Sequence, residues 1–289
     1  MAALPTPPTT SIRSVIAPAS SANLGAGFDV FGMALDLVAE VGVGPAPDGA
    51  TEVGEHHLVR VPFERLGGDG PLWLRTNIPM ARGLGFSGAV RVAAAGMGAV
   101  IAAGGDGGAL NRDRDRILDV AAELEGHGDN AAASAAGGVV AYVDGRIVPF
   151  RLGPMLSEAV VLSWIPDVTT KTDQSRKSLP AHVERHAAVA NIGRATQFVL
   201  AFAHDDPELL SGAADDELHQ DWRLSAVPGA AEAIADGVAA GAWCGWLSGS
   251  GPTVALMCGA DVADRVAAGL PTSGHVKRLA IDRVGLRRG

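Results

Sequence analysis

Aromatic side chains are scarce in this 289-residue chain, at five Trp, seven Phe and a single Tyr. The core must therefore be assembled from Ala, Val, Leu and Ile. With 38 Gly available, many tight turns and close backbone contacts are expected. Cysteine is almost missing. Cys244 and Cys258 belong to no C-x-x-C pair and no Cys/His cluster, which favours two packed thiols in a reducing, cytoplasmic setting over a disulfide scaffold or a zinc site. Positive charge is outnumbered, with 23 Lys and Arg against 32 Asp and Glu, a net charge of −9. That balance argues against nucleic acid or an anionic membrane as the main partner, though not against one local basic pocket. No run of 18 apolar residues occurs without glycine, so no membrane span is expected. The opening "MAALPTPPTTSIRS" has no apolar signal core and reads as a disordered lead-in without secretion.

The rest of the chain patterns as α+β, with strands in runs rather than strict alternation with helices. Strands are expected at 11–20, 37–44, 58–63 and 72–78, from β-branched alternation. The small, apolar stretch from Ser87 to about Ala103 reads as a buried helix. Residues 112–126 read as an amphipathic one, with Ile117, Val120, Ala121 and Leu124 on one face. A hairpin is expected around Asp144-Gly145, then a buried strand at 159–167. Two helices, a strand–turn–strand unit at 242–259, a short helix and a final strand complete the reading. A soft boundary near 150–158 divides residues 1–155 from 156–289.

"RGLGFSG", residues 82–88, satisfies G-x-G-x-x-G, a pattern that is weak evidence alone. A dinucleotide fingerprint needs a strand leading straight into the first glycine and an acid about 20 residues later at a strand end. Pro79-Met80-Ala81-Arg82 intervenes, and the nearest later acid, Asp106, sits inside "GGDGG". No G-x-x-x-x-G-K-[ST] exists either. What remains is a glycine loop opening onto the positive end of a buried helix, a combination suited to a polyphosphate. A tight turn that merely packs closely would spell the same way.

Two further Gly/Ser loops, "PASSANLGAGFD" at 18–29 and "LSGSGPTVALM" at 247–257, make three unrelated turns implausible. The trio resembles the three signature motifs of the GHMP small-molecule kinases, and within them the homoserine kinase branch. "ELEGHGDNAAASAAGGVV", "TKTDQSRKSLP" and "DELHQDWRLSAVPGA" are similar to three more segments of that branch, in the same order along the chain.

The resemblance implies an N-terminal domain like ribosomal protein S5 domain 2 and a ferredoxin-like C-terminal domain. It implies ATP and Mg2+ as cofactors, L-homoserine as acceptor and a homodimer. Arg82, Gly83, Leu84, Gly85 and Ser87 would cradle the phosphates, with Phe86 where the family usually carries another serine. Glu125 and Ser87 would be the metal ligands, while Glu123 points off that helix face. Asn23 and Asp29 would meet the amino-acid end, with His127 and Thr172 lining the pocket. Arg176 and Arg223 would grip the carboxylate, since a guanidinium fork matches it bidentately. Asn130 would sit by the reacting hydroxyl. An amide cannot take a proton and the side chain of neighbouring Asp129 is expected to point elsewhere, so no dedicated general base is expected. The third motif would brace the phosphate loop. Two alternatives stay open: a kinase for another small hydroxy compound, and a nucleotide-binding module without turnover.

Overall fold

The structure is a computed structural model that describes residues 12–168 and 179–289. Its first sheet has seven strands. β1 (Ser14–Ala22) lies antiparallel to the long β2 (Phe31–Val43), which also pairs with β4 (Leu72–Thr76). β3 (Thr51–Glu52) extends that edge. Further along, β2 pairs with β5 (Val139–Val143), which turns through Asp144-Gly145 into β6 (Arg146–Pro149). Both turn residues have positive φ, 50° and 78°, as a two-residue hairpin of this kind requires. The register of β1 shifts between Pro18 and Ala19, where the proline's missing N–H is tolerated at an irregularity.

Between β3 and β4 runs α1 (Arg60–Arg65). The strand expected at 58–63 is therefore a helix. Its buried residues Val59, Pro62, Phe63 and Leu66 recur at i, i+3, i+4 and i+7, a spacing hidden under apparent alternation. α2 (Phe86–Ala102) is buried along most of its length, packed on β1, β2 and α1. α3 (Ala109–Arg112) leads into α4 (Arg114–Glu125), which buries Ile117, Leu118, Ala121 and Ala122, while Val120 and Leu124 are only half-buried. α5 (Asp129–Ala136) follows after a three-residue turn.

Beyond α6 (Pro154–Ser157), β7 (Val160–Pro166) is one of the two inner strands of a second, four-stranded antiparallel sheet. α7 (Arg185–His204), α8 (Gln220–Leu224) and α9 (Ala230–Ala239) precede the hairpin of β8 (Cys244–Leu247) and β9 (Val254–Cys258). α10 (Ala263–Gly269) and β10 (Gly274–Ala280) finish that sheet in the order β10-β7-β9-β8. The last strand, β11 (Arg287–Arg288), returns to pair with β1 in the first sheet. One large apolar cluster joins both sheets, running from Val15 and Ala93 to Phe198 and Trp246. A smaller one under α9 and α10 is centred on Trp164 and Leu256.

Candidate active site

Three loops close on one cleft of about 440 Å³, each held by a different part of the fold. The first leaves β1 through Asn23, Leu24 and Gly25, all with positive φ. A side chain at Gly25 would collide with the carbonyl oxygen of Ala214, so this turn tolerates only glycine. Asn23 is buried, and both ends of its amide are used. Its Nδ2 donates to the Gly249 carbonyl at 2.9 Å, and its Oδ1 accepts from the Asp29 N–H at 3.0 Å.

The second loop precedes α2. Gly83 and Gly85 have positive φ, and no side chain caps the helix start. The Gly83 position is wedged against the third loop, where an added Cβ would stand 2.4 Å from the Ser248 carbonyl oxygen. At Gly85 the same atom would stand 2.1 Å from Ser20 Oγ. Close backbone approach therefore fixes both glycines, and the uncapped amides of Phe86, Ser87 and Gly88 border the cleft. Arg82 reaches away from them, its guanidinium donating to the carbonyls of Pro166 and Val168 at the end of β7.

The third loop joins β8 to β9. Ser248 donates to the Gly83 carbonyl at 2.6 Å and meets Ser21 Oγ at 2.7 Å, and Gly249 N–H donates to Ala22 at the end of β1. The third loop is thus bonded directly to the 83–88 loop and to the end of β1.

The turn between α4 and α5 supplies a fourth wall. Gly126 ends α4 in the left-handed conformation, and Gly128 lies where a side chain would strike Tyr142. This sharp turn brings Glu125, His127 and Asn130 to the cleft together. His127 Nδ1 lies 2.9 Å from Asp129 Oδ1, which also accepts from the Asn130 N–H. Asp129 was expected to point elsewhere. Instead it is buried and borders the cleft, its carboxylate held by the Asn130 N–H and by His127. Asn130 Oδ1 accepts from Ser20 Oγ at 2.9 Å. Glu123, by contrast, is exposed and pairs with Arg65, as its offset from Glu125 implied.

Arg223, on the short helix α8, is 5% exposed and comes in from the far side. Its guanidinium lies over the Phe28 ring, 5.2 Å from the centroid, and its Nη1 reaches the Gly249 carbonyl and His219 Nδ1. His219 stacks on Phe28 and holds the Gly25 carbonyl through Nε2. Burial pushes its pKa below the ordinary 6.5.

All eleven of the expected site residues that the structure describes border this one cleft: Asn23, Asp29, Arg82, Gly83, Leu84, Gly85, Ser87, Glu125, His127, Asn130 and Arg223. Thr172 and Arg176 lie outside the described residues. Sequence reasoning missed Arg91, whose Nη1 donates to Ser87 Oγ at 2.8 Å and pairs with Glu125 Oε1. Its place four residues after Ser87, one helical turn, was the available signal.

The GHMP kinases N terminal domain profile matches residues 56–138. The homoserine kinase of Carboxydothermus hydrogenoformans is 39% identical over 83% of this chain and 83% of its own length. The chain belongs to the homoserine kinase family. The Streptomyces coelicolor homoserine kinase is 36% identical over 93% of this chain and 91% of its own. Among solved structures, the homoserine kinase from Cytophaga hutchinsonii superposes with a TM-score of 0.79 at 20% identity, covering 99% of both chains. The mevalonate kinase from Methanococcus jannaschii superposes at 0.69 with 11% identity over 95% and 99%, so the GHMP kinase fold is common to both. As in other kinases, the nucleotide used is ATP.

Ser87 and Glu125 fit a divalent ion in donor type. Both are hard oxygens, and a single Arg91 nitrogen touches both, so they converge on one point. Two protein oxygens are few for a dedicated metal cage. They are enough for Mg2+, which keeps waters and takes the remaining ligands from phosphate.

Proposed function

We propose that the chain transfers the γ-phosphoryl group of ATP to the side-chain hydroxyl of L-homoserine, giving O-phospho-L-homoserine and ADP, in threonine biosynthesis. The observation that carries this is the convergence of Glu125, the 83–87 loop and Arg223 on one cleft, in a chain 39% identical to a homoserine kinase.

The amides at the start of α2, with Gly83 and Gly85, cradle the β- and γ-phosphates. Ser87 and Glu125 are assigned to Mg2+, which when bound neutralises charge on those phosphates. Arg223 grips the substrate carboxylate and His127 lines the pocket; by family resemblance the proposal adds Arg176 and Thr172, which lie outside the described residues. Asp29 meets the ammonium. Asn23 works through the backbone: bonded at both ends, it holds Asp29 and Gly249 in register. Arg82 orders the loop by tying it to the end of β7.

Asn130 orients the acceptor hydroxyl and cannot remove its proton. The Asp129 carboxylate is already engaged by His127 and the Asn130 N–H. As the hydroxyl oxygen bonds to the γ-phosphorus and the bond to the ADP oxygen breaks, the proton passes to the transferred phosphate or to solvent.

A homodimer, a cytoplasmic location and a division into units 1–155 and 156–289 are part of the same proposal. The buried free thiols Cys244 and Cys258 suit a reducing compartment. Coupled ADP release with L-homoserine against a panel of hydroxy acids and sugars tests the reaction. Preference for another hydroxy compound overturns the acceptor, and tight ATP binding without turnover overturns the enzyme.

A further inference from the structure

Arg91 belongs to none of the motifs and stands behind the cleft lining, yet its guanidinium joins Ser87 and Glu125, which both border the cleft. It lies on α2 one turn after Ser87, and helical side chains lean toward the start of their helix. Its Nη1 therefore reaches both Ser87 Oγ and Glu125 Oε1. Little water reaches the pair, with side-chain exposures of 20% for Arg91 and 9% for Glu125. These two oxygens are the ones a divalent ion would use. On the neighbouring position, Phe86 offers no further oxygen.

We propose that Arg91 is a resident cation of the polyphosphate site, standing in for part of the charge a divalent ion brings. The inference rests on the ATP-kinase reading. Two consequences follow from Coulomb's law alone. A fixed positive charge beside the cradle attracts the polyphosphate, so nucleotide binds appreciably without metal. The same charge repels a dication and occupies its carboxylate, so more Mg2+ is needed to load Glu125. A residue that merely oriented Glu125 would do the reverse, since losing an outer partner of a ligand weakens metal binding.

The test is calorimetric titration of ADP and of the β,γ-imido analogue of ATP into the full chain, in EDTA and across a Mg2+ series. Arg91→Gln removes the charge and retains an amide N–H on a shorter side chain, and Arg91→Lys keeps the charge. The expected result is metal-free nucleotide affinity about tenfold weaker in R91Q. The Mg2+ concentration at half-effect should be about fivefold lower in R91Q. R91K should lie close to wild type in both. Unchanged metal-free affinity in R91Q, a raised Mg2+ requirement, or equal losses with and without Mg2+ would each overturn the proposal. Failure of R91Q to fold while R91K is also weakened in EDTA would overturn it too. Wild-type protein that binds no nucleotide sinks the kinase reading itself. Wild-type protein that binds and turns over while R91Q matches it sinks only the role of Arg91.

Discussion

Ser248 donates its hydroxyl hydrogen to the carbonyl of Gly83 at 2.6 Å, joining residues 165 positions apart in the chain. With that hydrogen committed, Ser21 must be the donor in the 2.7 Å contact between the two serines. Trp246 Nε1 in turn donates to Ser21 at 2.9 Å. The result is a one-way relay from the core of the second sheet through β1 to the phosphate loop. Ser248→Ala leaves the buried Ser21 hydroxyl and the part-buried Gly83 carbonyl short of a partner, at a cost of about 1–3 kcal/mol. The expected outcome is weaker ATP binding with homoserine KM changed less, read by titration and steady-state kinetics.

Gly83→Ala should act at the same point more severely. The new Cβ would stand 2.4 Å from the Ser248 carbonyl oxygen on a backbone at φ +75°. Loss of ATP binding by about a hundredfold is expected, since strain and displacement of the third loop combine. The fold should survive, because the site is a loop. Circular dichroism together with nucleotide titration checks this, and near-normal ATP affinity would show that the loop gives way freely.

Arg223→Met tests the carboxylate grip. A guanidinium lost from a desolvated carboxylate contact typically costs several kcal/mol, so kcat/KM for homoserine should fall by about a hundredfold or more. ATP affinity should change little, because Arg223 approaches from α8, across the cleft from α2. An equal loss for both substrates would mean that its hold on Gly249, rather than substrate contact, is what matters.

His219 sets a pH limit. Arg223 can only donate, so His219 Nδ1 must accept, and the ring is neutral with its hydrogen on Nε2 toward Gly25. Asp216 and Asp29 favour the protonated ring and Arg223 opposes it, but burial dominates and the pKa falls. Folded protein therefore binds this proton less readily than unfolded protein does. The stabilisation is present above pH 6.5 and is lost as pH falls through the depressed folded value. Below that range the His219–Arg223 bond breaks, so homoserine KM should rise in acid along with loss of thermal stability. His219→Gln, which keeps a donor toward Gly25 and does not titrate, should flatten both profiles.

Motif loops were more legible in the sequence than the elements around them. The glycines of 83–88 could be read from type and spacing, whereas Glu125 and Asn130 were singled out by the family resemblance of the E-G-H-x-D-N segment; the structure brings all of them to one cleft. The helix at 60–65 could not be read in either way. Its apolar residues satisfy both periods over so short a run, and packing on α2 decides between them. Arg91 was only half legible, for a different reason: spacing points it at Ser87, one turn back, but not at Glu125. One arginine on an otherwise apolar helix has many possible partners, and only the fold brings Glu125, 34 residues on, beneath it. Asp129 was misplaced because sequence adjacency to Asn130 says nothing of the helix start that turns its carboxylate inward.

Gly98 separates intrinsic helix preference from packing. Within α2, replacing glycine by alanine should stabilise the helix by about 1 kcal/mol on propensity alone. Here a Cβ would stand 2.2 Å from the carbonyl oxygen of Phe63, on the helix that sequence alternation disguised as a strand. Backbone atoms cannot rotate aside as a flexible side chain can, so α1 and α2 must part. The consequence is poorer packing of Phe63 and Leu66, both buried against α2. Gly98→Ala should therefore destabilise by about 1–3 kcal/mol, the usual range for overpacking a filled core. Because the proposed phosphate cradle lies at the start of α2, ATP affinity should weaken along with the melting temperature. Denaturant unfolding gives the sign directly: a more stable variant would show that α1 moves without cost and that the 60–65 helix is not held where the structure has it.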